Sequence, residues 1–287
     1  RDPEMSRGLG DVYKRQHKYG NGIVGADIGT QTVAYTSDTE TGLKNLSERG
    51  NSIQTSERLE RLYYRAMDRS RRATNPQNYN DNGTVKKGKK TWNYSNHYKK
   101  LKAKHAELCR INATNRRLAI NEDVNHLRSI GDVFITEPKN AAKLMKRAKE
   151  TTVNNKGKIN RKKRFGKSVK NRCPGGFQTA VENKFKTSGG TYIEVPNNYR
   201  ASQYDHTADD YIKKKLSDRM YKLADGTLVQ RDWYSSFLLY CYNYRTNGID
   251  KKKCAAEFKK CYSMEKDFIE WIKKHKIKVL NSGIKIA

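Results

Sequence analysis

The sequence predicts an α/β protein, strands interspersed with helices and a basic helical hairpin inserted among them. Three observations carry that expectation. Residues 21–38, "NGIVGADIGTQTVAYTSD", set Ile23 and Val24 before Asp27 and resume with Val33, Ala34 and Tyr35 after Gly29, the pattern of a β-hairpin. Two further short strand patterns, in "DVFITEPKN" and "TYIEV", lie far along the chain and are separated by a segment of helical period. Between the hairpin and the first of these strands stand two long basic stretches with apolar residues three and four apart. A chain of 287 residues can bury a real core, and one principal domain with insertions is expected.

Asp27 is the one acidic residue among small and apolar neighbours in that hairpin. Its surroundings fit the Asp-x-Gly-Thr phosphate loop of actin-like ATPases and sugar kinases, or the first metal-binding aspartate of a ribonuclease-H-like nuclease. They also fit a plain β-turn in which Asp27 and Gly29 serve only the backbone. The hairpin leaves the three open.

Sixty Lys and Arg against thirty Asp and Glu give a formal net charge of +30. Solubility needs far less, so a polyanion is expected to neutralise part of it, and nucleic acid is the leading partner. No run of about 18 apolar residues marks a membrane span, and no signal peptide is evident, so the expectation is a cytoplasmic chain with no membrane partner. Five cysteines, odd in number, widely spaced and without a C-x-x-C pair, read as free thiols. Residues 1–20 open with "RDPEMSRGLGDVYKRQ", which follows no helix or strand period and is set aside as an unstructured tail.

The elements follow in order. In "TSERLERLYYRAMDRSRR", Thr55 can cap a helix on which Arg58, Arg61, Arg65, Arg69 and Arg72 form a cationic stripe. Leu59, Leu62, Tyr63 and Ala66 form the neighbouring apolar stripe, expected to dock on a core. An ordinary solvated face mixes signs, and this one is nearly all arginine, which points to phosphate contacts. Residues 75–92, rich in Asn, Gly and Lys, read as a mobile loop. A second helix is expected to bury Tyr98, Leu101, His105, Leu108 and Ile111 and to expose Lys99, Lys102, Arg116 and Arg117. His105 and His97 are assigned to packing and to the surface, with no cysteine or acidic partner expected at helical spacing.

Val133 to Thr136 then delivers Glu137 at a strand end, where Pro138 stops the ladder. Residues 143–172 are so basic and so poor in large apolar residues that a flexible lid is expected. Phe177, Val181 and Phe185 recur every four residues in a helix that starts at Pro174 and stops near Gly189 and Gly190. Asp209 and Asp210 read as first-turn acids of a helix capped by Thr207, and "RMYKLADGTLVQRD" reads as a hairpin turning at Asp225 and Gly226 with Asp232 just beyond. "WYSSFLLYCY" suits a buried helix, and the last residues supply one or two amphipathic helices. No serine or cysteine sits in a nucleophile elbow, which leaves carboxylates and metal as the available chemistry.

Four blocks in this order, "GADIGTQTVAY", "VFITEPKN", "CPGGFQTAVENKFKTSGGTYIEVPNNYRASQ" and "VQRDWYSSFLL", resemble the RuvC-like nuclease half of TnpB-type transposon proteins, relatives of type V CRISPR effectors. The third block is the most specific. The resemblance spans roughly residues 21–242 and implies a ribonuclease H-like (RuvC) fold with a mixed sheet flanked by helices, an RNA-guided DNA endonuclease, and guide RNA and target DNA as partners. It further implies Asp27, Glu137 and Asp232 as catalytic carboxylates holding Mg²⁺ or Mn²⁺. In-line phosphodiester displacement is served by two such ions about 4 Å apart, and hard cations take oxygen ligands. Ser202, Gln203 and Arg231 join the arginine stripe as expected nucleic-acid contacts, held through backbone charge while base pairing carries sequence.

The resemblance divides the chain into a RuvC-like core at 21–203, which includes the helical insertion at 52–130, a target-binding insertion at 204–229, the end of the core at 230–250, and a helical tail at 251–287. Two departures stand out. The family carries two zinc-binding cysteine pairs between Ser202 and Asp232, whereas this chain has no cysteine there, so zinc is not expected. Gln230 replaces the first acid of the usual Asp-Arg-Asp block, and the family's amino-terminal recognition region is not seen, so a catalytic portion is expected. A catalytically inactive nucleic-acid-binding relative and a guide-independent, structure-selective nuclease are the alternatives.

Overall fold

The structure, a computed structural model, describes residues 18–49, 52–146, 150–155, 157, 159, 166–215 and 217–286. Residues 1–17 of the expected tail and most of the basic stretch "KINRKKRFGK" lie outside the described residues, while the end of that tail is tied into the fold, the Gly20 amide donating to the Arg128 carbonyl at 3.1 Å. Two compact units are resolved, one made of Arg1–Leu46 and Ile120–Ala287, the other of Ser47–Ala119.

The first unit holds a five-stranded sheet of β1 (Ile23–Ile28), β2 (Thr32–Ser37), β3 (Thr41–Asn45), β4 (Val133–Thr136) and β5 (Thr191–Glu194). Its order is β3-β2-β1-β4-β5. The hairpin pairs and β2–β3 run antiparallel, while β1–β4 and β4–β5 run parallel. The sheet is therefore mixed, and it changes from antiparallel to parallel at β1.

Strand alternation sorts the side chains. Val24, Ala26, Ile28 and Phe134 face one way, into a cluster with Phe177, Val181 and Phe185 of a helix at Pro174–Thr187 and with Ile120, Val124 and Leu127 of a helix at Asn96–Ile130. Each fully buried phenylalanine there contributes on the order of 1.5–3 kcal/mol relative to exposure. On the opposite face lies a helix at Arg231–Tyr240 whose Trp233, Tyr234, Phe237, Leu238 and Leu239 are all buried, as expected for a helix apolar on every side. In chain order the helices are α1 (Ser52–Thr74), α2 (Asn96–Ile130), α3 (Ala141–Met145), α4 (Gly166–Arg172), α5 (Pro174–Thr187), α6 (Arg231–Tyr240) and α7 (Lys251–Lys274).

Several expectations change. No helix follows Thr207: residues 204–211 form a small hairpin of β6 (Tyr204–Asp205) and β7 (Asp210–Tyr211), with Asp209 at φ 54° in the left-handed region. Asp205 accepts from the Thr207 amide at 3.0 Å, the Thr207 hydroxyl at 2.7 Å and the Ala224 amide at 3.0 Å, so it closes a turn instead of starting a helix. The next hairpin, β8 (Met220–Lys222) with β9 (Leu228–Gln230), turns at Asp225 and Gly226 as expected. At the end of the basic 143–172 segment the chain is ordered as α4, with Val169 buried and Arg172 donating to the Leu46 carbonyl at 3.2 Å.

The second unit comprises α1 and the first part of α2. The side of α1 turned inward carries Ser56, Glu60, Tyr63, Met67 and Ser70, while Leu59 and Leu62 remain 37% and 49% exposed. On α2, Tyr98, Leu101, His105 and Leu108 are half-buried, and Ile111 is exposed in favour of Asn112. The hydroxyl of Ser56 donates to Asn112 Oδ1 at 2.6 Å. Residues 75–92 are tied at several points, since Asn75 donates to the Asn93 carbonyl at 2.7 Å and accepts its amide at 2.7 Å, and Asn78 donates to Thr91 at 2.8 Å. Among the described residues no helix is long and apolar enough to cross a membrane.

Candidate active site at the ends of the parallel strands

Parallel register sets Ala26 beside Thr136, so the next residues, Asp27 and Glu137, emerge side by side from the carboxyl ends of β1 and β4. Both belong to the face opposite the phenylalanine cluster. Lys139, two residues further, donates from Nζ to Asp27 Oδ1 at 3.0 Å. Glu137 is held above the usual carboxylate range, chiefly by burial and then by the negative charge of Asp27, against the opposing pull of Lys139 and of a hydrogen bond from the Ala201 amide. That amide opens a 3-10 turn, Ala201–Gln203, entered through Arg200 at φ 48°. Free N–H groups at the start of such a turn suit a carboxylate. Ser202 is exposed in it and Gln203 half-buried.

Helix α6 brings Asp232 to the same end of the sheet. Gly25 lets the helix approach, because a Cβ there would collide with the Tyr240 amide nitrogen and the Ser236 carbonyl. Ser236 Oγ meets Thr36 Oγ1 at 2.8 Å, level with Gly25, and the Tyr240 hydroxyl donates to Asp38 near the start of β1. The helix thus runs against β1. Asp232 precedes Ser236 by one turn, about 6 Å of rise, and Asp27 follows Gly25 by two residues, about 6.6 Å of strand.

Asp232 is not joined to the other two. Its Oδ1 accepts Arg231 Nε at 3.1 Å and Nη2 at 2.9 Å. Among the described residues, no set of three ligand atoms within 4.8 Å of one another includes Asp27, Glu137 or Asp232. The structure therefore brings Asp27 and Glu137 together and turns Asp232 toward the same end of the sheet, where Arg231 holds it.

Gln230 caps α6: its Oε1 accepts the Trp233 amide at 2.6 Å, while its Nε2 donates to the Ser282 carbonyl at 3.2 Å. Its own amide donates to Glu265 Oε1 at 3.1 Å. Burial pushes Glu265 up to about 8. An amide at position 230 can both accept and donate there, which an ionised aspartate cannot.

A cleft of about 620 Å³ opens at the same carboxyl ends, lined by Gly29, Thr30, Lys139, Asn140, Lys143, Glu194 and Asn197. Open α/β sheets bind ligands in this position, where strand order switches. Glu194 itself is turned to the α5 side, accepting from Gln178 at 2.8 Å and Tyr192 at 3.0 Å.

The basic residues are displayed on the second unit. Arg58, Arg61, Arg65, Arg69 and Arg72 are exposed on α1, as are Lys99, Lys102 and Arg117 on α2, with Arg116 half-buried. Arg72 is engaged within the unit, donating to Asp68 at 2.7 Å and to the Gly83 carbonyl at 2.8 Å and lying over the Tyr79 ring. Sequence reasoning missed Lys139 and the Ala201 amide. Lys139 had a signal, its place two residues after Glu137 in "EPKN"; the amide had none, because a backbone donor leaves no mark in sequence.

Fold and site define an α/β protein with a mixed five-stranded sheet and a carboxylate pair at the ends of two parallel strands. No known family profile matches this chain, and no curated protein does. A solved structure similar to it is the cryo-EM structure of a CRISPR-Cas12f ternary complex, at a TM-score of 0.39 and 15% identity over 78% of this chain and 40% of that one. The chain thus spans about two fifths of the length of that relative, and at this score the likeness carries no functional weight.

Proposed function

We propose that the chain is a divalent-metal-dependent nuclease with a RuvC-like active site, of the RNA-guided, TnpB type, in which Asp27, Glu137 and Asp232 hold Mg²⁺ or Mn²⁺. The observation that supports this best is the pairing of Asp27 and Glu137. Two carboxylates side by side at strand ends repel, and one lysine only partly balances them. A cation added there would relieve that repulsion, and an all-oxygen donor set suits a hard ion. When bound, the ions would activate water and neutralise charge on the cleaved phosphodiester.

The chain's own groups have separate tasks. The Ala201 amide keeps the Glu137 carboxylate oriented, and Arg231 holds Asp232 until a ligand competes for it. The exposed arginines of α1 bind backbone phosphates without reading sequence. Guide RNA and target DNA are the partners this reading assigns to them.

The test is cleavage of labelled single-stranded DNA with Mg²⁺ and with EDTA, comparing the chain with Asp27→Ala, Glu137→Ala and Asp232→Ala. Loss of activity with chelation and with each substitution supports the proposal; cleavage that survives all three sinks it. That the ligand atoms of Asp27, Glu137 and Asp232 do not all lie within 4.8 Å of one another favours a second reading, a nucleic-acid-binding protein without catalysis. Tight, salt-sensitive nucleic-acid binding with no Mn²⁺ uptake by calorimetry would select it.

A further inference from the structure

The second unit holds its own set of metal-ligating side chains. Glu60 on α1 and His105 and Cys109 on α2 have ligand atoms that all lie within 4.8 Å of one another. His105 and Cys109 are four residues apart and so stand one above the other on the same helix. The expectation that His105 has no cysteine or acidic partner at helical spacing is corrected here: Cys109 is that partner, and Glu60 comes from the neighbouring helix.

We propose that Glu60, His105 and Cys109 form a zinc-binding site that clips α1 to α2. The distances fit. Cys109 Sγ lies 3.7 Å from His105 Nε2, and Glu60 Oε1 lies 3.8 Å from the same nitrogen. Tetrahedral zinc with Zn–S of about 2.3 Å and Zn–N and Zn–O of about 2.0–2.2 Å requires roughly 3.5 Å for the first separation and 3.4 Å for the second. Those two separations need to close by only a few tenths of an ångström, and the third, between Glu60 and Cys109, is already within 4.8 Å. The Tyr64 ring packs on the imidazole at 4.7 Å between centroids and restrains its orientation.

A second, independent observation concerns what holds these helices. Among the described residues, no residue of 47–119 belongs to a buried hydrophobic cluster. Leu59, Leu62 and Ile111 stay exposed, and polar contacts such as Ser56 with Asn112 link the two helices. Small units without an apolar core are commonly stapled by a metal. Thiolate and imidazole select zinc over Mg²⁺, so the site differs in chemistry from the carboxylates of the sheet. On binding, the Cys109 thiol loses its proton to solvent and the sulfur bonds to the ion as thiolate, while water takes the fourth position. The expectation of no zinc rests on missing cysteines in 204–229 and does not bear on this helix pair.

The test uses the full chain stripped of metal. Zn²⁺ is titrated by calorimetry, and Co²⁺ is added as a spectroscopic substitute, with Cys109→Ser, Glu60→Gln and Asp27→Ala in parallel. Cys109 is exposed and Glu60→Gln keeps the side-chain shape, so both variants are expected to fold, and circular dichroism of the metal-free proteins checks this. The expected result is one equivalent of Zn²⁺ bound by the unaltered chain and by Asp27→Ala. Cys109→Ser and Glu60→Gln should each bind at least about tenfold more weakly. The Co²⁺ form should show a thiolate-to-metal charge-transfer band that Cys109→Ser abolishes. Equal affinity in Cys109→Ser, or a Co²⁺ spectrum without that band, overturns the site and leaves a simple glutamate–histidine contact.

Discussion

Lys139 Nζ reaches Asp27 Oδ1 at 3.0 Å, and both side chains are largely withdrawn from solvent, 25% and 17% exposed. The lysine therefore supplies the positive charge at the point where the two strand-end carboxylates meet. If a divalent ion binds there, lysine and metal compete. Replacing Lys139 by Met should tighten Mn²⁺ binding at least about fivefold, since two unit charges about 4 Å apart repel by about 1 kcal/mol even in bulk water. The metal-free variant should also be less stable, since Asp27 and Glu137 then face each other unbalanced. Calorimetric Mn²⁺ titration reads the first effect, and weaker binding would show that the lysine supports the site instead of competing for it.

Glu265 makes the fold itself sensitive to pH. It is 3% exposed, burial pushes it up to about 8 from an ordinary 4.5, and the Gln230 amide donates to it. A carboxyl with a raised folded-state pKa binds its proton more tightly in the native state, so stability falls as pH rises. The full contribution is present below about 4.5, declines between there and about 8, and is gone above it. Glu265→Gln keeps an acceptor for the Gln230 amide and removes the titration. Urea unfolding at acid, neutral and alkaline pH should show the variant gaining on the native chain as pH rises, with no gain at acid pH. Glu137 shifts in the same direction, so the comparison is cleanest when both proteins carry Glu137→Gln.

What the sequence reveals depends on whether apolar residues decide the outcome. The hairpin of β1 and β2 and helix α5 are legible because Val24, Ala26 and Ile28, and Phe177, Val181 and Phe185, repeat with the right period and are fully buried. Strand β3 is not, since Leu43 is its one large apolar residue and the strand is fixed by backbone pairing to β2. Helix α1 misleads for a related reason. Its apolar Leu59 and Leu62 look like the inner face, yet Ser56, Glu60 and Ser70 turn inward beside Tyr63 and Met67, because among the described residues no buried apolar cluster is there to reward the leucines. At the site, Asp27 and Glu137 are legible as acids at strand ends. Their adjacency is a matter of parallel register between strands about a hundred residues apart in sequence, which local pattern does not encode.

The approach of α6 to β1 rests on Gly25, so the position of Asp232 can be tested without touching any carboxylate. Gly25→Ala would press a methyl group into the Tyr240 amide and the Ser236 carbonyl. Neither is the end of a flexible side chain, so the helix has to lift. Overpacking of this kind costs about 1–3 kcal/mol, to be read as a lowered urea midpoint with little change in slope. Lifting α6 would also stretch the contact between Ser236 and Thr36, 2.8 Å in the native chain, and draw Asp232 away from the end of β1. Under the nuclease reading, activity should therefore drop more steeply than the folded fraction does, while nucleic-acid affinity, carried by the arginines of α1, stays unchanged. If activity followed the folded fraction alone, the spacing of helix and strand would have no bearing on the site, and Asp232 would have to act from somewhere other than the end of β1.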